Sequence, residues 1–424
     1  MLTLAVIREN RDDVIRRLAK KKFTNTSLID QIVALDDQRR ALQVQSDQLQ
    51  AESNRLSKEI GILIKSGNTT GAHQAKERTA RIKEEVKGLL DQMDEVTARL
   101  QELLVQIPNL PSDSVPEGDG AESNLKVKEG GLMPVLPESA LPHWELGKKY
   151  NIIDFETGTK LTGAGFPLFR AKGARLERAL INFFLDEAIK AGYQEVLPPL
   201  MVNEDSAFAT GQLPDKEGQM YHVPVDNLYI IPTAEVPVTN IFRDVILEAD
   251  ELPVKTVAYS PCFRREAGSY GKDVRGLNRV HQFDKVEIVQ IAHPDKSYAA
   301  LEEMVAHVEM LVKKLQLPYR IMRLCGGDMS FTSALTYDFE VYAAAQKKWL
   351  EVSSVSNFES FQANRLKLRF RESGSKKTRL VHTLNGSALA LPRIVAAILE
   401  NNQNDRGIVV PAVLIPYTGF EWID

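Results

Sequence analysis

Four short segments in the C-terminal half of the chain combine residue types that can do chemistry. Phe263-Arg264-Arg265-Glu266 runs into the Gly-rich stretch 267–272, with Arg279, Val280 and Phe283 a little further on. Arginine offers a planar fork that matches phosphate oxygens two at a time, glutamate accepts from an exocyclic amine and phenylalanine stacks on a purine. The set suits a nucleoside triphosphate, although an Arg-Arg-Glu triplet by itself is also a common surface ion-pair pattern. A second segment, Asn385-Gly386-Ser387, leads through Leu391-Pro392 to Arg393. Proline fits the first turn of a helix, which would leave Arg393 near a helix N-terminus, where anions are well received. The third, Thr233-Ala234-Glu235, offers a hydroxyl and a carboxylate for an ammonium group, or simply a helix start with threonine as cap. The fourth, Glu351-Val352-Ser353-Ser354, supplies the oxygen ligands that suit Mg²⁺ held jointly with substrate phosphates.

These segments need a framework. Leu228–Ile231, Thr256–Tyr259, Val286–Ile291 and Leu350–Val355 read as strands, and Arg175–Ala191 and Ile394–Asn402 as helices. Short connections with few helices between strands favour an α+β fold, an antiparallel sheet flanked by helices. The N-terminal part differs. Leu28, Leu35, Leu42, Leu49, Leu56 and Leu63 recur every seven residues, as do Ala75, Ile82, Leu89, Val96 and Leu103. Such repeats make helical seams. The turn-rich stretch 66–71 between them predicts an antiparallel helical coiled-coil arm over about 27–107. At 1.5 Å per residue such an arm is on the order of 55 Å long. Arg39, Ser46 and Ser53 interrupt the alternate seam of its first helix. The Pro- and Gly-rich stretch 108–142 reads as a linker or an irregular wrap joining two domains, 1–107 and 143–424.

Composition narrows the function classes. No apolar run approaches the roughly 18 residues that cross a bilayer, and the N-terminus lacks a signal-peptide layout, so a cytoplasmic protein without membrane contact is expected. The two cysteines, Cys262 and Cys325, lie far apart, without the spacing of a zinc site or a disulfide framework; buried thiols are expected. Net charge is −4; residues 1–107 carry 18 basic and 16 acidic side chains, a balance of +2, which leaves −6 for the rest. That distribution permits RNA binding by the N-terminal part. Arg55, Lys58, Lys65, Arg78, Arg81 and Lys83 are candidate phosphate contacts there, or a solvated charge face.

In this order and spacing the segments resemble one family over essentially the whole chain. Gly165-Phe166-Pro167 through Arg175–Leu180 to Leu197-Pro198-Pro199 looks like motif 1 of the class II aminoacyl-tRNA synthetases, Phe263–Glu266 like motif 2, and the segment ending at Arg393 like motif 3. Within that class, Thr233-Ala234-Glu235, Asp284-Lys285-Val286-Glu287, Asn385-Gly386-Ser387 and the helical hairpin resemble the seryl-tRNA synthetases of bacterial type. The resemblance implies an ATP-dependent ligase that makes seryl-adenylate and passes serine to tRNA(Ser), with tRNA(Sec) an open second substrate, working as a homodimer with Mg²⁺. It assigns Arg264 to the α-phosphate, Glu266 and Phe283 to adenine, Arg279 and Arg393 to the γ-phosphate, and Glu351 and Ser354 to Mg²⁺. Arg265, Val280, Val352 and Ser353 complete the implied ATP site. Thr233, Ala234 and Glu235 would hold the serine ammonium, and Glu287, Asn385 and Ser387 its hydroxymethyl group. Arg264 and Arg393 would be the catalytic pair. Ala388 and Leu391-Pro392 stand where relatives often have Gly and Val-Gly, and Asn364 where an Arg is frequent; none of these changes removes a substrate ligand. Two rivals remain: an armless enzyme that loads a carrier protein, which the heptads oppose, and a non-catalytic coiled-coil protein, which the retained arginines oppose.

Overall fold

The computed structural model describes residues 1–215, 217–266 and 274–424; the Gly-rich stretch 267–272 lies outside them. The chain divides into two compact units, Met1–Ala19 with Phe23–Pro108, and Lys20–Lys22 with Asn109–Asp424.

In the first unit the heptads form two long helices, Ser27–Lys65 and Thr69–Leu104. Gly67 takes the left-handed conformation (φ 74°) that the tight reversal requires. Asn68 then caps the second helix by accepting the Gly71 N–H at 3.0 Å. The seam is buried at Leu28, Leu42, Leu56, Ala75, Ile82, Val96 and Leu103, and Leu35, Leu49, Leu63 and Leu89 are half-buried. Ser46 and Ser53 are buried in it as well, filling the seam with small side chains rather than apolar knobs. Arg39 turns aside to Asp36, a fully buried carboxylate that also pairs with Arg8 and Arg40; these partners hold its pKa down against the opposing effect of burial. Arg78 is committed to Glu52 on the facing helix and to Glu85, whereas Arg55, Lys58, Lys65, Arg81 and Lys83 are exposed.

The second unit is built on eight strands: β1 (Leu125–Gly130), β2 (Gln194–Glu195), β3 (Val254–Phe263), β4 (Gln282–Ala292), β5 (Tyr319–Arg323), β6 (Leu335–Ala343), β7 (Lys348–Asn357) and β8 (His382–Ala390). Their order is β1-β5-β6-β7-β8-β4-β3-β2, antiparallel except for the β2–β3 pair. Of the two readings of 108–142, the structure has the irregular wrap for residues from Asn109 onward. That segment belongs to this unit, supplies edge strand β1, and is pinned where Asn109 Nδ2 donates to the carbonyls of Thr332 (2.8 Å) and Phe358 (2.7 Å). Its prolines and glycines mark a wrap around the sheet edge, where a short strand is tolerated.

Strand β4 shows how sequence positions the site. Its alternation sends Val286 and Ile288 into the larger core, with Leu180, Met304 and Ile394 from the helices Ala171–Lys190, Ser297–Lys314 and Leu391–Asn401. On the opposite face Val289 and Ile291 join a smaller core with Ala234, Val238 and Phe370. Period two then puts Phe283, Lys285 and Glu287 on that second face, just ahead of the apolar pair. Burial of side chains such as Phe184 and Phe339, each fully enclosed, contributes roughly 1.5–3 kcal/mol apiece. Both cysteines are buried and unpaired. Among the described residues no helix is long and apolar enough to cross a membrane.

Candidate active site

The strand ends converge on one open cavity of about 550 Å³, within the size range of small-molecule sites. Arg264, Arg279 and Arg393 all reach it, as do Glu287, Asn385 and Ser387. Segments far apart in the sequence are joined by register: Glu287 on β4 pairs with Ser387 on β8, and Val289 with Asn385.

Arg264 follows β3. Its N–H donates to the His281 carbonyl at 2.9 Å, and its guanidinium lies 5.3 Å from the Phe283 ring centroid, a cation–π contact that fixes the fork over the strand. Phe166 stacks on His281 (5.3 Å), which ties the Gly165-Phe166 segment to this stem. Glu266 forms a short ion pair with Arg279, so the groups assigned to adenine and the γ-phosphate hold each other in the free protein. Arg393 sits in the first turn of its helix behind Pro392; its Nε donates to the Asn278 carbonyl (2.9 Å) and its Nη1 to the Glu351 carbonyl (2.8 Å). Ala388 and Leu391 are fully buried, so the departures from the family pattern are absorbed without displacing Arg393.

At the other end Glu287 is 1% exposed and pairs with Lys285 at 2.7 Å, while Ser387 Oγ donates to it at 3.3 Å. Lys285 Nζ also donates to Thr233 Oγ1 at 2.8 Å. Sequence reasoning quoted this lysine as part of a motif without giving it a position; strand alternation from Glu287 was the available signal. Glu235 Oε1 accepts from Gln362 Nε2 at 2.7 Å, and Gln362 is held in turn by Thr383 Oγ1 at 2.7 Å. Gln362 was missed because its partners lie far away in sequence. Burial first, and then the charge of Glu287, push the Glu235 carboxyl up to about 7. Two site candidates do not line the cavity: Ala234 is enclosed in the smaller core, and Arg265 points to solvent while its N–H donates to the Gln219 carbonyl at 2.8 Å.

Glu351 and Ser354 share a face for a reason hidden in the sequence. The β6–β7 register slips between Phe339 and Glu340, so Ser353 opposes Phe339 while Glu351 opposes Glu340. This bulge turns Val352 and Val355 into the core and leaves Glu351 and Ser354 on the cavity side. Ser353 Oγ instead donates to the Ser387 carbonyl at 2.5 Å. Beneath them burial, then the nearby Glu351 charge, hold the Asp338 carboxyl well above its usual range. An all-oxygen donor pair above a buried carboxyl whose Oδ1 has no hydrogen-bond partner among the described residues fits Mg²⁺, and among those residues no cluster of three or more His, Cys, Asp or Glu could cage a metal by itself.

Known proteins match this arrangement at every level. Residues 1–111 match the family described as the seryl-tRNA synthetase N-terminal domain, and residues 221–402 the tRNA synthetase class II core domain (G, H, P, S and T). A serine–tRNA ligase of Salinibacter ruber is 50% identical over 421 residues, covering 99% of this chain and 98% of the relative. The seryl-tRNA synthetase of Pyrococcus horikoshii, solved in complex with ATP, superposes with a TM-score of 0.93 at 33% identity, covering 100% of this chain and 99% of that one. The cytoplasmic serine–tRNA ligase of Naegleria fowleri, solved with AMP, gives 0.88 at 26% identity, with the same coverage of 100% and 99%. Cavity, arm and sheet, with these matches along the full length, make the chain a member of the seryl-tRNA synthetase family of class II aminoacyl-tRNA synthetases.

Proposed function

We propose that this protein activates L-serine with ATP, forming seryl-adenylate and pyrophosphate, and then transfers serine to the 3′ end of tRNA(Ser). The observation that carries the reading is the buried Glu287–Ser387 pocket opening into the same cavity as Arg264, Arg279 and Arg393. A serine hydroxyl donating to Glu287 places its carboxylate toward the arginines, while Thr233 and Glu235 receive its ammonium. The serine carboxylate oxygen attacks the α-phosphorus, the bond to the bridging oxygen breaks, and pyrophosphate leaves. Arg264 neutralises charge on the α-phosphate as it builds, and Arg279 and Arg393 fold the triphosphate by taking the γ-phosphate. Glu266 exchanges Arg279 for the adenine amine, with Phe283 stacked on the base; Val280, Val352 and Ser353 form the surrounding wall. Glu351 and Ser354 would hold Mg²⁺, which screens the phosphate charge when bound. In the second step a terminal ribose hydroxyl of tRNA attacks the adenylate carbonyl and AMP leaves.

Pyrophosphate exchange into ATP, run across the standard amino acids, tests the assignment: serine alone is expected to support it, and equal exchange with another amino acid would overturn it. The pH dependence follows from Glu235. With its pKa near 7, the carboxyl is ionised above that value and protonated below it. The kcat/KM for serine should therefore fall roughly tenfold between pH 8 and pH 6; a flat profile would remove Glu235 from the ammonium site.

The N-terminal unit, 1–107, is the proposed tRNA-binding domain, with its exposed Arg55, Lys58, Lys65, Arg81 and Lys83 on phosphates. Deleting Leu35–Ala98 and bridging with a short glycine linker should leave serine activation within about threefold and lower tRNA charging on the order of 100-fold. Equal loss of both steps would count against a dedicated RNA arm. Further parts of the proposal are a homodimer, cytoplasmic action, and service to tRNA(Sec) where a host makes one. The exposed Leu161, Ile189, Leu197 and Met201 around motif 1, and the buried Glu177 Oε2, which has no hydrogen-bond partner among the described residues, support a second copy covering that surface.

A further inference from the structure

One layer behind the triphosphate end of the cavity lies a buried His143–Glu400 pair that the proposed chemistry does not use. Both side chains are fully enclosed, His143 at the start of the helix His143–Lys149 and Glu400 near the end of Leu391–Asn401. Five donors converge on the Glu400 carboxylate. Oε1 receives the His143 backbone N–H (3.0 Å), His143 Nδ1 (2.8 Å) and Gln346 Nε2 (2.7 Å); Oε2 receives the backbone N–H groups of Ala345 and Gln346 (3.1 Å each). The far ring nitrogen, His143 Nε2, accepts the Leu277 N–H at 2.8 Å. A ring nitrogen that accepts carries no proton, so the ring is the Nδ1–H tautomer that Glu400 selects.

Leu277 and its neighbours line the cavity. The Asn278 carbonyl receives Arg393 Nε at 2.9 Å, its side-chain amide donates to Gln346 Oε1 at 2.8 Å, and the next residue is Arg279. The turn before them is pressed on the ring: Gly276 has φ 67°, and a Cβ there would come within 2.3 Å of His143 Nε2. His143 thus grips the backbone, and Gln346 the Asn278 side chain, of the segment from which one phosphate arginine projects and against which the other is braced.

We propose that His143, set in its tautomer by Glu400, is a positioning residue for the ATP triphosphate, acting through the Leu277–Arg279 backbone on Arg279 and Arg393. The inference rests on the reading that those two arginines bind phosphate. It is tested by steady-state pyrophosphate exchange with His143→Ala, His143→Gln, Gln346→Leu and, as a parallel control, Arg393→Ala, with thermal melting of each. A displaced phosphate ligand costs binding and alignment, so His143→Ala should raise the ATP KM about tenfold while the serine KM stays within about twofold. His143→Gln, whose amide oxygen can accept the Leu277 N–H, should recover most of that loss. Parallel rises in both KM values, a lowered melting temperature without a KM change, or a glutamine variant no better than alanine would overturn the proposal. Where His143→Ala does not fold, Gln346→Leu decides, because it cuts the Asn278 link at a partly exposed position: an ATP KM raised about threefold with serine unmoved supports the proposal, and an unmoved ATP KM overturns it. Arg393→Ala separates the two levels. If it leaves the ATP KM unchanged, the triphosphate reading fails and the inference falls with it; if it raises that KM while the His143 and Gln346 variants do not, the inference alone fails.

Discussion

Arg264→Ala is expected to lower serine-dependent exchange of pyrophosphate into ATP about 10³-fold, with little change in melting temperature. The size of the effect follows from where the guanidinium stands. It is held over Phe283, 5.3 Å from the ring centroid, and its backbone is clamped on both sides by His281, whose carbonyl accepts the Arg264 N–H (2.9 Å) and whose Nδ1 donates to the Arg264 carbonyl (3.0 Å). A donor fixed in advance needs no reorganisation as charge grows on the α-phosphate, so its loss is felt mainly in the transition state. The ATP KM should change much less than kcat. Near-normal exchange would show that another group supplies the electrostatic stabilisation.

The second large effect concerns the choice of amino acid. Glu287→Ala should lower kcat/KM for serine about 10³-fold while the ATP KM moves less than twofold, because a site built around a buried acceptor loses both its hydrogen bond and its discrimination. The same change strands Lys285, which is 4% exposed and has Glu287 at 2.7 Å, so some loss of stability accompanies it. Glu287→Gln keeps an acceptor in place and should lose only about tenfold, which separates recognition from folding. Exchange with alanine, measured alongside, should gain relative to serine in both variants. A selective rise in the ATP KM would move Glu287 out of the amino-acid pocket.

What was legible in the sequence was whatever repeats locally. The leucine heptads gave both arm helices to within a few residues, since a seam must recur with the helix period wherever it is buried. Strand β4 was legible from its apolar core, though it begins four residues before Val286, at Gln282, where Phe283 and Lys285 face the cavity and need not follow the apolar pattern. Other features depend on partners distant in sequence. The edge strand Leu125–Gly130 carries only the short Leu125-Lys126-Val127-Lys128 alternation and buries neither apolar side chain, so its pairing with Tyr319–Arg323 is what defines it. The slip that brings Glu351 and Ser354 to one face lies in the pairing of β6 with β7, which no single strand announces. Lys285, Gln362 and the His143–Glu400 pair are likewise invisible one residue at a time, because burial and partners identify them rather than residue type. Chemistry and motif made the arginines candidates; that they share a cavity is a property of the sheet order.

At the centre of the proposed chemistry, three guanidinium groups grip one triphosphate beside a pocket made for a hydroxymethyl group. A crystal structure of the protein with seryl-adenylate analogue, and a second with ATP and Mg²⁺, would test this most directly. The expected result has Arg264 on the α-phosphate, the γ-phosphate between Arg279 and Arg393, and the serine hydroxyl on Glu287. A nucleotide bound elsewhere, or phosphates that leave Arg279 and Arg393 untouched, would contradict it.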